Sequence, residues 1–242
     1  MRTLVKLILS LSLIIFGLSE STAQGNKKVI GNGAITTTII ATQSYDKIEV
    51  IGSMDVHLEH GSEGNVSVTT DSNIQEYIIV EIKDNALMLR TKNDVNIKTK
   101  KGIHINVPFK SISGVSLVGS GDIEAKDTIK SDFFDVSVIG SGDIIIAIES
   151  NTLDAKVIGT GDLTLSGTAI NLEVKVSGSG DFRGNALSAE HTQVYVSGSG
   201  DAKVTASMSI KARINGSGTI EYSGNPISND TKVVGSGVIS SK

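Results

Sequence analysis

The chain has 242 residues, a formal net charge of −4, 4% aromatic residues and no cysteine or tryptophan. An acidic chain of this kind lacks the basic stripe that nucleic-acid binding needs, and without cysteine it has neither disulfides nor a thiol nucleophile. It is nevertheless long enough to bury a sizeable apolar core.

The first residues are MRTLVKLILSLSLIIFGLSESTAQ. Arg2 and Lys6 precede an apolar run from Leu7 to Leu18, and Ser21 and Ala23 stand at the −3 and −1 positions of a cleavage site. The run is too short to span a bilayer, and its flanks are those of a secretory signal peptide. Residues 1–23 are therefore expected to be removed. Residues 24–242 then form one exported domain of 219 residues (242 less 23), with a net charge near −5 and no integral membrane segment. Periplasm, cell surface and extracellular space all remain open as destinations.

Residues 27–112 alternate like strands but irregularly. "YDKIEVIGSMDVHLEHG", "NVSVTTD", "YIIVEIKDNALMLRTK" and "GIHINVPF" follow one another. Asp84-Asn85 between two apolar runs predicts a hairpin turn, and "SNIQEY" predicts at most one turn of helix. Ile51-Gly52-Ser53-Met54-Asp55 reads as a degenerate copy of a later motif, with Met54 in place of a glycine. This part is expected to cap one end of the fold and shield its strand edges.

From 113 to 239 a Gly-Ser-Gly motif recurs, starting at Gly119, Gly140, Gly159 (as Gly-Thr-Gly), Gly178, Gly198, Gly216 and Gly235, at intervals of 18 to 21 residues. A fixed period of this size marks stacked supersecondary units. Parity identifies the unit. Val136, Val138, Gly140, Gly142, Ile144 and Ile146 fall on one face of a strand, whereas Ser137, Ser141 and Asp143 fall on the other. The motif's glycines form a predicted corner, where absent side chains let the strand bend or let backbones approach. They are Gly119 and Gly121, Gly140 and Gly142, Gly159 and Gly161, Gly178 and Gly180, Gly198 and Gly200, Gly216 and Gly218, and Gly235 and Gly237. With parallel coils ~4.8 Å apart, the prediction is an all-β, right-handed parallel β-helix. The last coil, "VVGSGVISSK", has no sequence left to cover it. Its open edge suits either a homo-oligomer formed through this end or a short, frayed terminus blunted by Ser240, Ser241 and Lys242.

The ordered series "Y-D-x-I-x-V-x-G-x-x-D-V-x-L" over Tyr45 to Leu58, the serial "V-x-V-x-G-S-G-D-I" copies and the closing "I-E-Y-S-G-N-P" over Ile220 to Pro226 resembles the family of auto-transporter adhesins with the head GIN domain. The resemblance implies an exported protein of Gram-negative bacteria, a pectin-lyase-like β-helix without catalytic residues, and a role in adhesion to an unidentified surface or envelope ligand. A literal auto-transporter needs a C-terminal membrane β-barrel, and nothing after Gly237 supplies one.

The most chemical-looking feature is an acidic ladder, Asp122, Asp143, Asp162, Asp181 and Asp201, at one site of successive coils, with Thr219 and Val238 continuing it. Carboxylates stacked at this spacing repel by about 0.9 kcal/mol even in water. Turn N–H groups and the Ser/Thr ladder (Ser120, Ser141, Thr160, Ser179, Ser199, Ser217) can offset this, and so can a bound cation. Lys156, Lys175, Arg183 and Lys203 are candidates to neutralise it. His57 and His60 lie on opposite faces of one strand, His104 stands alone, and His191 is placed in a turn, "SAEHT". No nucleophile–base pair stands out, so no catalytic residue, metal site or cofactor is expected. The leading expectation is a non-enzymatic surface or periplasmic adhesion module. The alternative is a β-helix that binds or degrades polysaccharide through its outward Asp and Lys rows, although only Tyr195 supplies an aromatic beside them.

Overall fold

The structure, a computed structural model, describes residues 27–242; the expected signal peptide, residues 1–23, lies outside them. The N-terminal strands are β1 (Lys27–Ile30), β2 (Ile35–Ala41), β3 (Lys47–Gly52), β4 (Asp55–His60), β5 (Asn65–Asp71), β6 (Ile78–Lys83), β7 (Ala86–Thr91), β8 (Val95–Lys98) and β9 (His104–Phe109). The later strands are β10 (Gly114–Gly119), β11 (Ile123–Ala125), β12 (Ile129–Gly140), β13 (Ile144–Gly159), β14 (Leu163–Gly178), β15 (Phe182–Gly198), β16 (Ala202–Thr205), β17 (Ser209–Gly216), β18 (Thr219–Ser223), β19 (Ser228–Gly235) and β20 (Val238–Ser241). A single 3₁₀ turn, Gln75–Tyr77, occupies the predicted helical spot.

The fold is the parallel β-helix that the parity predicts, wound through about seven turns. Each coil pairs in parallel with the next, so equivalent side chains stack into columns. Ile48, Val115, Val136, Ala155, Val174, Val194 and Ala212 form one inward column, and Val50, Leu117, Val138, Val157, Val176, Val196 and Ile214 another. Beyond the corner, Val56, Ile123, Ile144, Leu163, Phe182, Ala202 and Ile220 form a third. All are buried. β-Branched residues dominate these columns because they pack well on a pleated surface.

The corner glycines stack as expected, but the two members of each pair are not equivalent. The first member closes a strand at positive φ, as at Gly119 and Gly140, and is only half-buried. The second member, at Gly121, Gly142, Gly161, Gly180, Gly200, Gly218 and Gly237, lies between strands and has no positive φ. The bend is therefore made at the first glycine alone. The second is glycine because of close approach to the coil below. An added β-carbon at Gly121 would meet the Met54 carbonyl oxygen at 2.0 Å, and one at Gly180 would meet that of Gly161 at 2.0 Å. At Gly200 the Gly180 oxygen would lie at 2.1 Å, and at Gly218 the Gly200 oxygen at 2.0 Å. Met54 keeps its side chain at this site because the chain beneath it does not repeat the corner: β7 ends at Thr91 and β9 begins only at His104, and a β-carbon on the neighbouring Gly52 would meet no backbone atom within 4 Å.

The coil-length drift is absorbed after the corner. Gly140 to Gly159 is the plain coil. Two extra residues precede it between the Glu124↔Ile145 and Ile129↔Ile148 pairings. One more forms a bulge after Phe182, where the register slips between the Thr164↔Arg183 and Ser166↔Ala186 pairings. The coil from Gly198 to Gly216 is instead shorter, losing two residues relative to the coil below between the Arg183↔Lys203 and His191↔Ser209 pairings. Coil length therefore changes beyond the corner, and the face that leads into the corner keeps constant register.

The N-terminal region departs from a wholly irregular cap. Strands β3 and β4 stack in parallel beneath β10 and β11, with Gly52 opposite Gly119, so regular winding begins well ahead of residue 113. Strands β7 and β9 stack in parallel beneath β3 and β4. The order up the stack is thus 86–109, then 47–60, then 114–125, which is not chain order. The capping is done by antiparallel strands: β6 on β7, β5 on β9, and β2 on β5. Asp84 (φ 51°) and Asn85 (φ 62°) make the predicted hairpin, since Asp and Asn tolerate the left-handed conformation that its twist requires. Asp71, buried at the end of β5, accepts the backbone N–H of Gly33 at 2.6 Å and of Lys100 at 2.9 Å. These donors, Lys100 foremost, hold its carboxyl below the usual carboxylate range.

The sequence motif at Tyr45-Asp46 also acquires a structural reason. The buried Tyr45 hydroxyl donates to the carbonyl of Pro108, and Asp46 accepts from both the backbone N–H and the hydroxyl of Ser113. Together they fasten the 47–60 coil to the segments on either side of it. At the other end β19 and β20 pair on one side only, with β17 and β18, and Val233 and Val238 are exposed.

Candidate functional site

Two outward surfaces flank the glycine corner. The first is the acidic ladder. Its members do stack, and each carboxylate has a defined use. Oδ1 of Asp122 accepts the backbone N–H of Asp143 at 3.0 Å; Asp143 does the same for Asp162 at 2.8 Å, Asp162 for Asp181 at 2.9 Å, Asp181 for Asp201 at 3.0 Å, and Asp201 for Thr219 at 2.8 Å. The corner strand turns away from the regular ladder here, and the carboxylate of one coil satisfies the N–H that the next coil would leave unpaired. Arg183 Nη1 donates to Asp162 Oδ2 at 2.7 Å, and its Nη2 lies 3.2 Å from Asp181 Oδ2. The Thr160 hydroxyl donates to Ser141 at 3.1 Å. Among the described residues no group of three or more His, Asp or Glu is arranged to hold a metal ion.

Replacing Asp143, Asp162 and Asp181 together by Asn is expected to change stability little, because the amide oxygen still accepts. Replacing Asp162 by Ala is expected to cost about 1–3 kcal/mol through the orphaned Asp181 N–H. Chemical denaturation checks both. Neither calcium nor a chelator should move the melting temperature of the native chain; a calcium-dependent rise would show that the ladder serves a cation instead.

Of the basic residues proposed to neutralise the ladder, only Arg183 is bonded to it. Lys156 and Lys175 lie before the corner, on the other flank, and Lys175 pairs with Glu173. The histidines do not assemble a site. His57 and His104 stack at 6.2 Å between ring centroids, His60 packs edge-on against Phe109, and His191 lies within β15 rather than in a turn, its Nδ1 2.8 Å from the Ser209 hydroxyl. His191 is in a strand because its coil continues the parallel pairing, Asn171↔His191↔Ser209, through the polar "SAEHT" stretch.

The second surface is the flat face ahead of the corner. Lys156, Lys175, Tyr195, Arg213 and Lys232 follow one another up a single outward column. Beside them, nearer the corner, run Ile158, Ser177, Ser197, Asn215 and Val234. Together these two rows line a shallow groove of about 730 Å³. On the far side of the basic row run Asp154, Glu173, Gln193, Lys211 and Asp230. Glu173 pairs with Lys175 and Asp230 with Arg213, while Lys211 Nζ sits 5.7 Å from the centre of the Tyr195 ring, within cation–π range. Arg213 and Lys232 were not singled out from the sequence, yet the signal is present. Each member of the row stands three residues before a corner glycine.

Comparison with known proteins agrees with this geometry. A putative adhesin from Bacteroides fragilis has a similar fold, with a TM-score of 0.83 at 23% identity over 88% of this chain and 100% of that one. A protein from Parabacteroides distasonis described as a putative lipid binding protein aligns with a TM-score of 0.75 at 25% identity, over 89% of this chain and 100% of that one. A putative adhesin from Parabacteroides merdae aligns with a TM-score of 0.73 at 20% identity, over 89% and 99%. No curated protein matches the chain. Residues 44–226 match the family model described as "Putative auto-transporter adhesin, head GIN domain", and the chain belongs to that family.

Proposed function

We propose that this chain is an exported, non-enzymatic adhesion module: a stiff rod of stacked coils that presents columns of like side chains to a ligand on another surface. The observation that carries this reading is the family match over residues 44–226, which spans the winding from its first coil through the corner at Gly216. Two physical features support it. The outward rows continue coil after coil, predominantly polar, which suits an extended contact better than a point reaction. The most regular titratable group, the acidic ladder, is occupied with backbone N–H donors and Arg183 rather than aimed at a reacting atom. Among the described residues no helix is long and apolar enough to cross a membrane.

Protease applied to intact cells tests the placement. The chain should be digested while a periplasmic marker survives, and beads coated with purified protein should adhere to cells in competition with the soluble form. Full protection from protease together with absent bead adhesion would rule out the adhesive reading.

A further inference from the structure

We propose that the groove between the Lys156–Lys175–Tyr195–Arg213–Lys232 row and the Ile158–Ser177–Ser197–Asn215–Val234 row binds a linear anionic polysaccharide lying along the axis of the helix. This gives the adhesive module a ligand class and rests on that reading for its biological sense, though the binding stands or falls by itself.

Three observations converge. The first is spacing. Cations and an aromatic recur once per coil, at the ~4.8 Å separation of stacked strands, close to the repeat of sugar units in an extended glycan. A polymer with a charge on each unit can therefore stay in step with the row, where a compact anion would use one coil only. The second is the pairing of chemistries. One wall offers ammonium and guanidinium groups, while the other offers the hydroxyls of Ser177 and Ser197 and the amide of Asn215. These suit the anionic and hydroxyl groups of sugars. Ile158, Tyr195 and Val234 offer apolar area for the C–H faces of sugar rings. Among the described residues Lys156 and Lys232, at the two ends of the row, have no carboxylate partner within salt-bridge distance, so both are free to meet a ligand.

The third observation discriminates between partners. The basic row is one residue wide except at Lys211. Alongside it run Asp154, Glu173, Gln193, Lys211 and Asp230, three acids to one base. A planar anionic surface such as a membrane would press on both rows at once and meet repulsion from the second. A narrow strand tracks the basic row and the hydroxyl row and stays clear of the acids. Nucleic acid is disfavoured by the chain's net charge of −4.

Binding of purified protein to polygalacturonate, dextran sulfate, neutral dextran and phosphatidylglycerol vesicles tests this. One or both anionic polymers should bind, the stronger naming carboxylate or sulfate as the group read, and neutral dextran should not. Affinity should fall as salt is raised. The double change Lys156→Gln with Lys232→Gln should weaken binding about tenfold, Tyr195→Ala about fivefold, and Lys203→Gln, beyond the corner, not at all. Lys156→Arg with Lys232→Arg should retain binding. Circular dichroism melts should match the native chain throughout. Equal affinity for charged and neutral dextran, an unweakened glutamine variant with a native melt, or binding to vesicles but not polymers would each overturn the proposal. Bead adhesion without polymer binding would refute this ligand and leave the adhesive role intact; polymer binding with no adhesion would do the reverse.

Discussion

Gly159→Ala is expected to destabilise the protein by about 3–5 kcal/mol, a large loss from adding a single methyl group. A β-carbon at Gly159 would lie 2.3 Å from the carbonyl oxygen of Gly140, one coil below, and the residue sits at φ +119°. The oxygen has no room to yield. It already accepts the N–H of Thr160 at 2.8 Å and of Gly161 at 3.1 Å, and it belongs to backbone rather than to a flexible side chain. Moving it would shift a coil that has its own neighbour beneath. The glycine therefore serves two requirements at once: a left-handed conformation and a backbone-to-backbone approach. Gly33 provides the comparison. It has φ +83° but nothing within 4 Å of an added β-carbon, so Gly33→Ala carries the conformational penalty alone, about 1–2 kcal/mol. Urea denaturation of the two variants separates the effects. A loss at Gly159 no larger than that at Gly33 would remove steric approach as the reason for the motif.

Phe182→Ala should cost about 3–5 kcal/mol by leaving a cavity in the middle of the stack. Phe182 is fully buried, with Leu163 below it and Ala202 above. Its column is otherwise filled by aliphatic side chains, so the ring needs additional space. The bulge at Gly184 provides it. A β-carbon there would stand 2.4 Å from the ring's Cε1. The extra residue of this coil and its one buried aromatic therefore form a matched pair. Gly184→Ala should be damaging in the native chain and much less so in the Phe182→Ala background, because the added methyl then enters the vacated space. A double-mutant cycle measured by thermal or chemical denaturation reads this directly. Additive losses would mean that ring and bulge are unrelated.

The sequence motif can be read as geometry because its parity is unambiguous. Residues such as Leu172, Val174 and Val176 alternate strictly with the polar Glu173, Lys175 and Ser177, and a side-chain period of two leaves no choice of face. The interval between glycines then requires like residues to stack, so the acidic ladder and the inward columns are visible before any coordinates are known. The division of labour within the motif is not visible: Gly140 and Gly142 read alike in sequence and both lie close to the coil below, and only backbone angles show that the first alone also makes the bend. The use of the ladder is equally hidden. That Oδ1 of one Asp meets the N–H of the next depends on the direction the strand takes at the corner, which no spacing encodes. The groove is half legible: Lys156 and Lys175 stand at equivalent positions of successive coils, but only the fixed offset of three residues from the corner glycine, applied through to Arg213 and Lys232, completes the row.

What the amino-acid order determined by itself is therefore the repeating part: strand parity, inward and outward columns, the corner, and the family to which its motifs point. Tertiary structure alone decided the placement of the 47–60 coil between segments that follow it in the chain, the antiparallel strands that close the stack, and the separation of the lysine row from the acidic ladder by a turn. The physical reason is range. Alternation and glycine spacing act between neighbouring residues and adjacent coils, so they are written locally. The order in which coils stack depends on backbone pairing between residues far apart in the chain, and one parallel strand presents much the same donors and acceptors as another until side-chain packing selects among them.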